Sequence, residues 1–195
     1  FCKTMKKIEI KEFGGPEVLE IKNVDIGKPG QNEVLVKNLS IGINYIDTYH
    51  RSGLYPIPLP SGIGLEACSI IEEVGSEVKL FKVGDRVTRA SMPIGTYSEK
   101  QIIPEDKLVK VPNNISDEVA SCITLKGITA EYLLHRTYQV KKGDKILYHA
   151  AAGALGQIFC PWANALGAEI IGTVGSDEKI EIAKKNGCHH VINYN

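Results

Sequence analysis

The stretch Asp144–Gly156, which reads DKILYHAAAGALG, decides the fold of the second part of the chain. Residues 146–148 form a short apolar run, typical of a strand buried on both faces of a parallel sheet. Ala151, Gly153 and Gly156 follow as an A-x-G-x-x-G loop that opens a helix-forming segment. Small residues let the backbone approach a pyrophosphate, and N–H groups at the helix start favour its negative charge. The stretch therefore predicts a dinucleotide-binding loop; a tight turn without a ligand is the alternative.

From Lys145 onward, strands and helices alternate. We predict strands at 145–149, 169–174 and 190–193, and helices at about 154–166 and 177–186. Such alternation with right-handed crossovers gives a parallel sheet. Three strands make up one half of a doubly wound domain, which usually has six. We therefore expect a partial Rossmann domain, with Pro161 past the first turn of its first helix, where proline removes a hydrogen bond.

From Met5 to about Leu108 the pattern is that of short β-strands separated by turns. Strand-like runs lie at 6–10, 18–21, 33–43, 67–74, 85–89 and 97–103. Turns rich in glycine and proline separate them, and such spacing predicts a barrel-like β domain. Between the third and fourth runs we predict a short helix with Asn44 as its N-cap. Asp47 would lie in its first turn, where a negative charge is favoured.

The segment from Ser116 to His135 has a helical pattern. Ser116 begins the helix, and Gly127 is expected to break it, with a second helix through Ala130–His135. We place the domain limits at 5–122 for the β domain and 123–195 for the dinucleotide-binding part.

Composition excludes several classes of function. The chain has 23 basic and 23 acidic residues, so no net charge attracts it to nucleic acid or to a membrane surface. It contains no apolar run of 18 residues, so we predict no transmembrane helix. Five cysteines lie far apart without a C-x-x-C pair, which suits a reducing cytoplasm better than a disulfide framework or a structural zinc site.

Several motifs in order carry a family resemblance. They are GGPEVL at 14–19, IGINYIDTYHRSGLYP at 41–56, GDRV at 84–87, LKGITA at 125–130, HAAAGALG at 149–156 and VINY at 191–194. With them the chain resembles the NADPH-dependent quinone oxidoreductases of the medium-chain dehydrogenase/reductase superfamily, the group that includes zeta-crystallin. The resemblance spans essentially Met5–Asn195 and implies a GroES-like β-barrel domain followed by a Rossmann domain truncated after its first half. It also implies a cytoplasmic homodimer.

The resemblance implies no metal. Zinc-dependent members of the superfamily carry a catalytic Cys and a His at the positions that correspond here to Asn44 and Leu65, and neither residue binds zinc well. Glu66 beside them is an isolated carboxylate, which is more often structural than catalytic.

The resemblance places one group of residues around the nicotinamide and the quinone. The group consists of Asn44, Tyr45, Asp47, Tyr49 and Tyr55, of which Tyr45 is assigned to the cofactor and the other four to catalysis. Amides and hydroxyls can hold a carboxamide and a quinone oxygen without reacting themselves. Helix capping is the alternative for Asn44 and Asp47, and aromatic packing is the alternative for Tyr49 and Tyr55.

A second group is assigned to the remainder of the cofactor. It consists of Lys126, Thr129, Tyr132, Gly153, Ala154, Leu155, Gly175, Ser176, Lys179 and Tyr194. An NAD-dependent enzyme would have an acidic residue at the end of its second strand, about 20 residues past the loop, to bind the ribose 2′-OH. Here the small Gly175, the Ser176 hydroxyl and the Lys179 ammonium suit a 2′-phosphate. They predict NADPH, although Asp177 argues for NADH.

The resemblance implies reduction of a quinone by NADPH without metal or flavin. The cofactor would supply the chemistry while the protein orients the two rings. An NADPH-dependent enone or alkenal reductase is the alternative within this class. A truncated nucleotide-binding or structural, crystallin-like remnant without catalysis is the alternative outside it.

Overall fold

The computed structural model describes residues 3–195, with no account of the Lys3 side chain; Phe1 and Cys2 lie outside the described part. The polypeptide forms two compact units, one that ends at Leu125 and one that comprises Lys126–Asn195. The domain limits inferred from sequence, 5–122 and 123–195, stay a prediction.

The first unit is built from antiparallel β-sheets. Its strands are β1 (Lys3–Ile10), β2 (Glu20–Ile26), β3 (Glu33–Gly42), β4 (Ser61–Gly62), β5 (Glu66–Val74), β6 (Arg86–Ala90), β7 (Lys100–Pro104) and β8 (Val109–Lys110). One sheet has the order β2-β1-β4 and the other the order β7-β3-β5-β6-β8. Val34, Val36, Ile71, Val87 and Ile103 point their apolar side chains into a shared core of the larger sheet. This architecture is the predicted GroES-like β domain.

A short helix leaves the larger sheet where β3 ends. This helix, α1 (Tyr45–Ser52), begins after Asn44 as its N-cap and ends at Gly53, which adopts φ = 82°. Glycine is suited to this left-handed position because it has no Cβ to clash with the following carbonyl. The predicted helix and its N-cap are therefore confirmed.

The following helix corrects one sequence-based expectation. Gly127 does not divide it: α2 runs without interruption from Asp117 to Tyr132, and a turn of π-helix continues it over Leu133–Thr137. A single glycine in the interior of a helix lowers the stability of the helix by only about 1 kcal/mol relative to alanine. The burial of Ala120 and Ala130 on either side, at 2% and 0% exposure, is sufficient to offset such a cost.

The second unit contains the predicted alternation of strands and helices. Its elements are β9 (Lys145–Tyr148), α3 (Gly156–Ala165), β10 (Glu169–Val174), α4 (Glu178–Lys185) and β11 (His190–Asn193). The strands are parallel in the order β11-β10-β9. Pro161 lies inside α3, as predicted, with Phe159, Cys160 and Ala163 of the same helix buried in the core. This unit is a partial Rossmann fold.

No helix within residues 3–195 combines the length and the apolar character that crossing a membrane requires.

Candidate functional site

The carboxyl ends of the three parallel strands meet at one edge of the second unit. We call this the glycine-loop edge, and it comprises residues 149–156 after β9, 175–179 after β10 and Tyr194 after β11. In open parallel sheets, ligands bind outside the carboxyl ends of the strands. The structure therefore brings together the predicted Gly153, Ala154, Leu155, Gly175, Ser176, Lys179 and Tyr194.

The glycine loop is held tightly against the start of α3. A Cβ built on Gly156 would overlap the carbonyl oxygen of Ala151 and lie 2.7 Å from its carbonyl carbon. A Cβ on Gly153 would lie 3.0 Å from the carbonyl oxygen of Ala150, and Ala150 itself has φ = 56°. The loop thus needs glycine at 156 because the start of α3 lies close to the backbone of Ala150 and Ala151.

Three hydrogen bonds tie the loop to its surroundings. The Ala151 N–H donates to the Thr173 carbonyl at 3.0 Å, and the Asn186 side-chain amide donates to the Ala151 carbonyl at 3.2 Å. His149 Nδ1 lies 3.0 Å from the Thr173 hydroxyl. The loop backbone is therefore held in place by β10 and by the end of α4.

The segment after β10 presents a hydroxyl and an ammonium group to solvent. Within residues 3–195, neither the Ser176 hydroxyl nor the Lys179 ammonium group makes a hydrogen bond or an ion pair. The Tyr194 hydroxyl lies 2.8 Å from the position of a Cβ built on Gly175, so the ring packs over this glycine. A glycine, a hydroxyl and a cation are thus grouped where β10 ends.

Asp177, whose position in the sequence favours NADH, is hydrogen-bonded to Asn193. Its Oδ1 accepts a hydrogen bond of 2.7 Å from the Asn193 side-chain amide. Asp177 is the N-cap of α4, but its side chain makes no capping hydrogen bond. Its carboxylate is directed to β11 instead.

The first unit contains a buried polar network at the start of α1. Asp47 is 3% exposed, and its Oδ2 accepts the Asn44 backbone N–H at 3.0 Å. The Asn44 side-chain amide donates at 2.8 Å to Glu66, which is 0% exposed and also accepts the Leu125 N–H at 2.7 Å. Asn44 and Asp47 therefore serve as the capping pair of α1 and connect it to Glu66.

Tyr97 belongs to this network and was missed by the sequence analysis. Its hydroxyl donates to Asp47 Oδ2 at 2.8 Å, and burial, followed by this hydrogen bond, raises the pKa of the phenol well above its usual value. Within residues 3–195, Asp47 Oδ1, His50 Nδ1 and Thr96 Oγ1 are buried without a hydrogen-bond partner. Buried polar atoms of this kind are usually satisfied by a water or a ligand.

The tyrosines of α1 form an aromatic surface. The rings of Tyr45 and Tyr49 meet edge to face at 5.4 Å between centroids, and those of Tyr49 and Tyr55 at 5.2 Å. Tyr45 and Tyr55 are 77% and 50% exposed. The structure thus groups Asn44, Tyr45, Asp47, Tyr49 and Tyr55 on and beside one helix, with amide and carboxylate inside and aromatic rings outside.

Lys126, Thr129 and Tyr132 lie on α2 in the part of that helix that belongs to the second unit. Their spacing of three residues makes them successive neighbours along one helix surface. They are a third group, distinct in the chain from α1 and from the glycine-loop edge.

In the described part of the chain, no three His, Cys, Asp or Glu side chains lie where they could hold a metal ion together. The positions of the zinc ligands expected from the superfamily are Asn44 and Leu65.

Two family models match the chain. The alcohol dehydrogenase GroES-like domain matches residues 30–113, and the zinc-binding dehydrogenase domain matches residues 154–195. Together they cover more than half of the chain, in the order of its two units.

Individual proteins match over nearly the whole chain. A quinone oxidoreductase of Pseudomonas aeruginosa is 51% identical over 190 residues, which are 97% of this chain and 58% of that protein. A 2-haloacrylate reductase of a Burkholderia species is 48% identical over 95% of this chain and 57% of its own length. The crystal structure of Escherichia coli quinone oxidoreductase complexed with NADPH superposes with a TM-score of 0.94 at 50% identity, over 97% of this chain and 58% of that one. The chain thus spans less than two thirds of the length of these relatives.

Proposed function

The chain belongs to the quinone oxidoreductase family of the medium-chain dehydrogenase/reductase superfamily, and we propose that it binds NADPH and takes part in the reduction of a quinone. The observation that carries this proposal is the glycine-loop edge. It combines a loop that excludes a Cβ at Gly156 with the Ser176 hydroxyl and the Lys179 ammonium group after β10, which have no partner among the described residues.

The residues at this edge fit the chemistry of NADPH. We propose that the N–H groups of Gly153, Ala154 and Leu155 bind the pyrophosphate, because the start of a helix presents N–H donors and positive charge. Ser176 and Lys179 would bind the 2′-phosphate by a hydrogen bond and by charge, with Tyr194 packed over Gly175 beside them. Lys126, Thr129 and Tyr132 are assigned to the cofactor on family resemblance.

We assign the residues of α1 to the reacting end. NADPH, when bound, would supply a hydride or electrons to the acceptor. Asn44, the exposed rings of Tyr45 and Tyr55 and the partly buried ring of Tyr49 would orient the nicotinamide and the quinone. Asp47 would hold α1 in place through Asn44 and Tyr97. Solvent or a tyrosine hydroxyl would supply the proton that the reduced quinone takes up.

An activated alkene is the second candidate acceptor. The observation that favours it is the 48% identity to a 2-haloacrylate reductase, close to the identity with the quinone oxidoreductases. Turnover of 1,4-benzoquinone compared with turnover of 2-chloroacrylate, both at saturating NADPH, distinguishes the two acceptors.

Lys179→Ala is expected to weaken NADPH binding by about tenfold or more and to leave NADH binding almost unchanged. The variant removes the charge that pairs with the 2′-phosphate, and a hydrogen-bonded ion pair of this kind contributes about 1.5–3 kcal/mol. Titration of nicotinamide fluorescence measures both dissociation constants, with Lys184→Ala, on the same helix but paired with Glu181, as the control.

Absence of NADPH and NADH binding by the wild-type chain would contradict the proposal. The chain would then be a structural or nucleotide-free remnant of the family, and the glycine loop would be inherited architecture. Binding without turnover would retain the cofactor assignment and reject the assignment of α1 to catalysis in this chain.

We also propose that the chain forms a homodimer and is located in the cytoplasm. The thiols of Cys68, Cys122, Cys160 and Cys188 are all free, which suits a reducing compartment. Sedimentation equilibrium of the chain tests the oligomeric state.

A further inference from the structure

We propose that Asn193 is a positioning residue that determines the preference for NADPH over NADH, because it holds the carboxylate of Asp177 away from the ribose. This inference rests on the proposed function and deepens it. After the end of β10, an acidic side chain lies two residues before Lys179, the cation assigned to the 2′-phosphate. A negative charge at this place would disfavour a phosphate group.

Asp177 lies where an acidic residue would select NADH. Its position, 21 residues past Gly156 and three past the end of β10, is close to that of the carboxylate that binds the ribose 2′-OH in NAD-dependent domains. A carboxylate free to turn toward a 2′-phosphate would repel it. A chain that uses NADPH therefore has to control the direction of this side chain.

In the structure, Asn193 fixes the direction of the Asp177 side chain. Val174 pairs with Asn193 across the parallel ladder of β10 and β11, so Asn193 lies directly beside the strand end from which the segment to Asp177 departs. The Asn193 amide donates to Asp177 Oδ1 at 2.7 Å, while its own Oδ1 accepts the Asn195 N–H at 3.2 Å. Both ends of the amide are engaged, so its orientation is set and the Asp177 carboxylate is drawn toward β11.

The engaged carboxylate leaves the two phosphate-binding groups unobstructed. Neither the Ser176 hydroxyl nor the Lys179 ammonium group is paired with Asp177 in the part of the chain that the structure describes. Loss of the Asn193 amide would let Asp177 turn to the ribose or pair with Lys179. Both changes disfavour a 2′-phosphate, and the first favours a 2′-OH.

Asn193→Ala tests this inference through binding. Dissociation constants for NADPH and NADH come from nicotinamide fluorescence, and those for adenosine 2′,5′-bisphosphate and AMP come from calorimetry, which needs no turnover. We expect the preference for the 2′-phosphorylated ligand of each pair to fall by about fivefold, the effect of one hydrogen bond to an exposed charge. Asn193→Asp, which places a second carboxylate opposite Asp177, should lower it further.

A second substitution separates positioning from direct contact. In the Asn193→Ala background, Asp177→Asn should restore the preference, because a neutral side chain needs no restraint. Asn164→Ala, an exposed asparagine of α3 in the same unit, is the matched control and should leave all four constants unchanged. Fluorescence of the single tryptophan, Trp162, reports whether each variant is folded.

Each outcome identifies which claim fails. If the wild-type chain binds none of the four ligands, the proposed function fails before any variant is considered. If it binds NADPH preferentially and a folded Asn193→Ala and Asn193→Asp keep the same preference, only the role of Asn193 is overturned. A wild-type preference for NADH would overturn both this role and the assignment of Ser176 and Lys179.

Discussion

Gly156→Ala is expected to lower the free energy of unfolding of the second unit by about 3 kcal/mol or more. The added Cβ would overlap the carbonyl oxygen of Ala151 and approach the carbonyl oxygen of Ala150 to 2.9 Å. Both obstacles are backbone atoms in the loop between β9 and α3, so they cannot move away by a change of rotamer. Relief requires α3 to move away from the sheet, which opens the core around Phe159 and Cys160.

Urea titration followed by the fluorescence of Trp162 measures this loss. Trp162 is the only tryptophan of the chain and lies on α3, so its signal reports the second unit. Gly127→Ala is the matched control, since the same methyl group meets nothing within 4 Å in the middle of α2. It should stabilise the protein by up to about 1 kcal/mol through helix propensity. Equal midpoints for the two variants would contradict the close approach at Gly156.

Glu66→Ala is expected to lower the free energy of unfolding of the first unit by about 3–5 kcal/mol. The carboxylate is fully buried and accepts hydrogen bonds from the Asn44 side chain and from the Leu125 backbone. Its removal takes these acceptors away from the buried Asn44 amide and from the partly buried Leu125 N–H. The loss should therefore loosen the N-terminus of α1 together with the contact to α2.

Far-UV circular dichroism during urea titration without cofactor measures this effect. Glu72→Ala on the same strand is the control: Glu72 pairs with Lys100 at 2.5 Å, and both side chains are partly exposed. Partly exposed ion pairs contribute about 1 kcal/mol or less, so the control should unfold close to the wild-type midpoint. Coincident curves for the two glutamate variants would show that Glu66 does not support the fold.

The alternating strands and helices of the second unit, from Lys145 onward, were predictable from the sequence almost to the residue. The strands Glu169–Val174 and His190–Asn193 begin and end where the sequence pattern placed them. Short apolar runs that alternate with helical segments give a parallel sheet a strong local signal. The expectation that the strand after Asp144 is buried on both faces was wrong, since Leu147 of β9 is 57% exposed. The glycine loop was predictable for a related reason, because a close approach of backbone to backbone admits few residue types.

The first unit was predictable as a class but less well in detail. The strands β4 and β8 have two residues each, too few for any periodicity to be visible. The predicted strand at 18–21 is a single 3₁₀ turn at Pro16–Val18 followed by β2, whose charged residues obscure its alternation. At the start of the second unit, Gly127 was wrongly predicted to break a helix, because local propensity was weighed without the burial of its neighbours.

The buried network around Asp47 shows what a single sequence cannot reveal. Tyr97 meets Asp47 across 50 positions of the chain, and Glu66 meets Leu125 across 59. No local pattern encodes such pairs, since they depend on where the sheet places its strand ends. Glu66 was interpreted as structural, and its partners became known only from the fold.

The cysteine thiols can be used to detect local unfolding of each unit. Cys122 is exposed, whereas Cys68 in the first unit and Cys160 and Cys188 in the second are buried. Burial raises the pKa of Cys68 to about 11 and that of Cys160 to about 12, and alkylating reagents react with thiolates. Among the cysteines that the structure describes, native protein should therefore react with the label first at Cys122. Later modification of Cys68 would indicate that the first unit has opened, and modification of Cys160 and Cys188 that the second unit has opened. Mass spectrometry at successive times identifies the modified residues.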